Sequence, residues 1–138
     1  MSELQTLLPA AQRPPPQQAL VVDDSAVDRQ HLVNLLTRAG WQVSAAANGA
    51  EALKLANHRP PDIIFMDIVM PGMDGYQACR RLAEDPATRG IPVVFVSTKT
   101  QRADQVWARM QGGRALLPKP LTSAQLLSAL QHANERAV

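Results

Sequence analysis

Five short apolar runs recur along the chain, each followed by a stretch whose apolar residues return every three or four positions. The runs are Ala19-Leu20-Val21-Val22, residues 41–46, Asp62 to Met66, residues 91–96 and Ala115-Leu116-Leu117. Short, β-branched runs closed by turn residues predict strands buried on both faces. The intervening stretches predict helices. Ser25 caps a helix over residues 26–39, with Val27, Leu32, Leu35, Leu36 and Ala39 near one face and Gly40 as its stop. Asn48 caps a second helix ending near His58, with Ala52, Leu53 and Ala56 turned inward; Pro60-Pro61 cannot continue it. Asp74 caps a third over residues 75–84, placing Cys79 and Leu82 on one side. A fourth runs over residues 102–110 to Gly112-Gly113. Thr122 and Gln125 form a capping box for the last, which extends to about Asn134.

Strand and helix thus alternate five times with short connections. That order predicts an α/β fold: a doubly wound, five-stranded parallel sheet of order 2-1-3-4-5, flavodoxin-like, with helices on both faces. Residues 19–138 are expected to form one domain. Residues 1–18 carry Pro9, Pro14, Pro15 and Pro16 and read as a Pro-rich flexible leader, although Leu4, Leu7 and Leu8 could form a short apolar docking face.

Composition narrows the function classes. In 138 residues, 46% are apolar, enough for one core, and the net charge of +2 comes without any basic run. Nucleic-acid binding is therefore not expected. One cysteine, Cys79, excludes an internal disulfide and suits a reducing compartment. No apolar run approaches the ~18 residues of a membrane span, and no signal peptide is apparent, so a cytoplasmic protein with no membrane partner is expected. His31, His58 and His132 show no metal-ligand spacing, while Trp107 and Cys79 read as packing residues.

Candidate chemistry collects at the carboxyl ends of the strands, where open α/β sheets bind ligands. Asp23-Asp24 ends the first strand, Asp67 the third and Ser97 the fourth, and Lys119 follows the fifth. Three carboxylates in one crevice need nearby positive charge. Lys119 is one source, and a hard cation held by oxygen ligands, Mg²⁺, is another. Asp24 and Asp67 are the best direct ligands, Asp23 acts directly or through water, and the Val69 backbone carbonyl could complete the set. An Asp67 oxygen could then attack a phosphoryl group, with Lys119 and the Ser97 hydroxyl on its oxygens.

These residues carry a resemblance. LVVDDS at 20–25, DIIFMDIVMPGMDG at 62–75, PVVFVST at 92–98 and LPKP at 117–120 resemble the CheY-like response-regulator receiver domain. Residues 97–113 also resemble the stand-alone regulators of type IV pilus twitching motility. The resemblance implies that a sensor histidine kinase or phosphotransfer protein phosphorylates Asp67 with Mg²⁺, that the Lys119–Pro120 bond is cis, and that an output protein binds in response. With no second domain after Val138, output is expected to pass through that partner. Two positions depart from the pattern. Leu116 stands where the family has a Tyr or Phe ring that moves inward on phosphorylation, and Pro118 precedes Lys119. Leucine has no ring to expose, so Leu116 is expected to stay inward and the signal to pass through Ser97, residues 98–101 and the fourth helix. A receiver-like scaffold with phosphate-independent output is the alternative. Val69, two residues after Asp67, argues against a haloacid-dehalogenase phosphatase, which needs a second Asp there. Asp23-Asp24 argues against a flavin phosphate loop.

Overall fold

The computed structural model describes Pro9 and residues 17–136, with side chains through Gln131. Most of the leader, and the side chain of His132, lie outside the described residues. Strands β1 (Gln18–Val22), β2 (Gln42–Ala46), β3 (Ile63–Asp67), β4 (Val93–Ser97) and β5 (Ala115–Pro118) form one parallel sheet of order β2-β1-β3-β4-β5. Helices α1 (Ala26–Arg38), α2 (Gly49–His58), α3 (Gly75–Glu84), α4 (Arg102–Met110) and α5 (Ser123–Arg136) alternate with them. The expected fold class and strand order are those observed.

Successive strand side chains point to opposite faces, so the apolar runs feed two cores. Leu20, Val22, Ile64, Met66 and Phe95 pack with Ala52 and Ala56 of α2, Cys79 and Leu82 of α3 and Ala108 of α4. Val21, Ile63, Phe65 and Val94 pack on the other face with Leu32, Leu35 and Leu36 of α1 and Leu126 and Leu130 of α5. The small residues of α2 and α3 allow close approach to the sheet. Each central strand is buried on both sides, which is why its sequence shows no alternation.

Capping chemistry fixes where the helices begin. The Ser25, Asn48 and Asp74 side chains accept from the backbone N–H three residues on. Thr122 and Gln125 bond reciprocally, as their spacing predicts. Some expectations change. β1 starts at Gln18, one residue inside the expected leader, because Gln17 and Gln18 already bond to Gln42 and Asp62. β3 and β4 each run one residue further, so Asp67 and Ser97 are the last residues of their strands. Val27 is 79% exposed: it belongs to the first turn of α1 and not to the buried face, which is formed by Leu32, Leu35 and Leu36. Trp107, read as a packing residue, is 51% exposed, and Val106 and Met110 beside it are exposed as well. Leu53 is half-buried, packed on the edge of the core. No helix among the described residues is long and apolar enough to cross a membrane.

Candidate acidic site at the carboxyl edge of the sheet

The sheet order places β1 beside β3 and β3 beside β4, so their last residues converge. Asp23 follows β1 and is buried, its N–H bonded to the Ala46 carbonyl of β2. Its Oδ1 accepts from the Ser25 N–H at 2.9 Å and its Oδ2 from Lys119 Nζ at 2.7 Å. Both Asp23 oxygens are thereby engaged within the protein. Asp24 is exposed. One carboxylate oxygen from each of Asp23, Asp24 and Asp67 lies within 4.8 Å of the other two. Val69 follows two residues past Asp67 with its side chain exposed.

Lys119 is the positive counterweight. Its Nζ contacts Asp23 Oδ2 at 2.7 Å, Asp28 Oδ2 at 3.2 Å and Asp67 Oδ1 at 3.2 Å. Its backbone N–H bonds to the Ser97 carbonyl, and the Lys119–Pro120 bond is cis. Pro118 sits on the edge strand β5, opposite Ser97, where a missing N–H is tolerated. Burial favours the neutral amine, but the pairing with Asp23 and the charge of Asp67 outweigh it and push the Lys119 pKa up. The Asp67 carboxyl is also pushed up. Burial, then the Asp23 charge, raise it from 3.8 to about 6, against the opposing pull of Lys119. One lysine does not neutralise this crevice, and a further cation would lower the Asp67 pKa.

Ser97 is buried, and its hydroxyl oxygen accepts from the Lys99 N–H at 3.1 Å. Its own proton is left to donate. Leu116 is 4% exposed and packs in the core with Phe95, its strand neighbour. Its carbonyl accepts from the Gln105 side chain of α4 at 3.1 Å. Behind Asp67 the backbone is closely backed. A Cβ at Gly75 would lie 2.1 Å from the Asp67 carbonyl oxygen, so the first residue of α3 can only be glycine. Asp28 is the site residue that sequence reasoning missed. Three residues after Ser25, it reads as an ordinary acid in a helix first turn; only the tertiary approach of Lys119, 91 residues away, gives it a partner.

The fold and this edge define a receiver: the response regulator receiver domain family matches residues 19–131, and the chain belongs to it. Receivers are two-component signalling switches. Among its relatives, Protein PilH of Pseudomonas aeruginosa is 44% identical over 111 residues, covering 80% of this chain and 92% of PilH. Protein PilG of the same organism is 36% identical over 112 residues, covering 81% and 83%. The solved structure of Vibrio cholerae chemotaxis protein CheY4 superposes with a TM-score of 0.81 at 30% identity, covering 86% of this chain and 99% of that one. The similarity to PilH supports the resemblance to pilus regulators.

Proposed function

We propose that this chain is a single-domain response regulator. Asp67 accepts a phosphoryl group from a histidine kinase or phosphotransfer protein, and the phosphorylated form changes its binding to an output protein. The observation that carries this is the convergence of Asp67 with Asp23, Asp24 and Lys119 at one strand edge, with Lys119 Nζ 3.2 Å from the Asp67 carboxylate. An Asp67 oxygen forms the new O–P bond while the P–N bond to the donor imidazole breaks, and the imidazole takes the electron pair and leaves neutral, keeping the proton already on its other nitrogen. Lys119 meets the charge on the transferred group, and the Ser97 hydroxyl donates to one of its oxygens. The donor set, all oxygen with two buried carboxylates, fits Mg²⁺. Asp24 and Asp67 would hold it directly, Asp23 directly or through water, and the Val69 carbonyl would complete the protein's share. Bound there, the ion would offset carboxylate and phosphoryl charge.

The similarity to PilH and PilG supports a place in pilus- or chemotaxis-type signalling. The chain would catalyse only its own phosphorylation and dephosphorylation. The exposed Val106, Trp107 and Met110 of α4 offer the output protein an apolar surface next to the Ser97 loop. The buried Leu116 favours the second reading, a phosphate-independent scaffold, to the extent that a moving ring is needed for output. A pulldown of the partner with and without the phosphoryl group separates the two, and intact-mass measurement after incubation with a small phosphoramidate tests the phosphoacceptor. Wild type should gain one phosphoryl group when Mg²⁺ is present and Asp67→Asn none; equal incorporation by both would refute the assignment.

A further inference from the structure

Lys119 has more acceptors around it than the phosphoryl chemistry uses. An ammonium carries three N–H donors and accepts nothing. Asp23 Oδ2 lies 2.7 Å from Nζ, Asp28 Oδ2 3.2 Å and Asp67 Oδ1 3.2 Å. A phosphoryl oxygen would be a fourth acceptor, so one of these three must give way to it. Asp28 stands apart from the other two. The carboxylate oxygens that cluster as a cation site come from Asp23, Asp24 and Asp67, and Asp28 joins the site through Lys119.

Burial decides which contact gives way. Asp23 is buried, and losing Lys119 would strip a buried carboxylate of its charge partner, which is costly. Asp67 gains negative charge when it carries a phosphoryl group, so the pull from its side on Lys119 grows. The Asp28 side chain is 47% exposed, and water replaces Lys119 there at little cost. The backbone of Lys119 is held by its N–H on the Ser97 carbonyl, while the four-carbon stem lets Nζ swing. Ser25 fixes both competitors. Its N–H donates to Asp23 Oδ1, and its Oγ accepts from the Asp28 N–H at 3.3 Å.

From these observations we infer that Asp28 is a positioning residue, which holds Lys119 in the unphosphorylated chain and releases it to the phosphoryl group on Asp67. The inference rests on the reading of Asp67 as phosphoacceptor. Asp28 then slows phosphorylation, because its contact with Lys119 must break before the lysine can meet the transferred group. The test times phosphorylation of the full chain by phosphoramidate with saturating Mg²⁺, read by intact mass. An Asp67 oxygen forms the O–P bond, and the protonated nitrogen of the donor takes the P–N electron pair and leaves as ammonia. Asp28→Asn should react about two- to five-fold faster than wild type, the range of a half-exposed ion pair. In a Lys119→Met background, Asp28→Asn should bring no gain. The same four proteins, unfolded by urea without Mg²⁺, should show a favourable coupling between Asp28 and Lys119. Equal rates in wild type and Asp28→Asn overturn the inference. So does an equal gain without the lysine, which would mark a long-range charge effect, and so does absence of coupling. If Lys119→Met fails to fold, the Asp28→Asn rate ratio is measured again at 1 M salt, where charge effects beyond about 3 Å are screened. A ratio that persists supports the contact, and one that vanishes overturns it. No phosphoryl incorporation by wild type would refute the phosphoacceptor and this inference together, whereas incorporation at equal rates refutes the inference alone.

Discussion

Asp67 holds its proton to about pH 6 in the fold, against 3.8 for an ordinary Asp, because burial and Asp23 outweigh Lys119. A carboxyl with a raised folded pKa is protonated in the fold and ionised in the unfolded chain between those two values. Stability therefore falls as pH rises from about 4 to about 6, then stays at its lower level. Asp67→Asn has no such proton. Without divalent cation, its stability gain over wild type should be near zero at pH 4 and reach about 1 to 2 kcal/mol above pH 6, after allowance for solvent screening. Urea unfolding across that pH range measures it, and a gain that is largest at low pH would reverse the assigned sign. Lys119 with its three carboxylates explains why the fold tolerates the arrangement at all.

At the scale of elements, β4 and β5 divide the work between them. Ser97 ends β4 with a buried hydroxyl at the acidic edge, while Leu116 of β5 is locked in the core. Ser97→Ala should weaken phosphorylation-dependent partner binding by roughly 1.5–3 kcal/mol, the worth of a hydrogen bond to a charged group. Leu116→Val should leave that binding intact while lowering stability by about 1 kcal/mol. Calorimetry of the output complex with each variant checks both; the opposite ranking would put the switch in β5. The elements themselves were legible in the sequence because their signals are local. Ser25, Asn48, Asp74 and the Thr122–Gln125 pair mark helix starts through side-chain-to-backbone bonds three residues long. What periodicity could not supply was which face of a short helix meets the sheet. Val27 and Trp107 follow the apolar pattern yet are exposed, because α1 buries only Leu32, Leu35 and Leu36 and α4 only Ala108. Asp28 was hidden for the same reason, since its partner arrives from the far end of the chain.

Across the whole molecule, the site's charge is set by parts from β1, α1, β3 and the segment after β5, so a bound cation should stabilise the fold globally. Binding to the folded state alone adds about 2.7 kcal/mol at one hundred times the dissociation constant. Thermal unfolding should rise with added Mg²⁺ in wild type. The rise should shrink more in Asp24→Asn than in Asp23→Asn, because both Asp23 oxygens are already taken by Ser25 and Lys119. An unchanged Mg²⁺ response in Asp24→Asn would remove that carboxylate from the ligand set.

The contact between Gly75 and the Asp67 carbonyl has a consequence for how this sequence can drift. A methyl group there would sit 2.1 Å from that oxygen and 2.9 Å from the Ile68 Cα, so position 75 is closed to every side chain on steric grounds alone. Intolerance at Asp67, by contrast, would come from chemistry. In a saturation library selected only for folded, soluble protein, position 67 should accept Asn freely while position 75 rejects even alanine, with losses of several kcal/mol. Placing the library in an Asp67→Asn background should leave position 75 just as restricted. A position can thus be closed to substitution beside the proposed phosphoacceptor for reasons of packing alone.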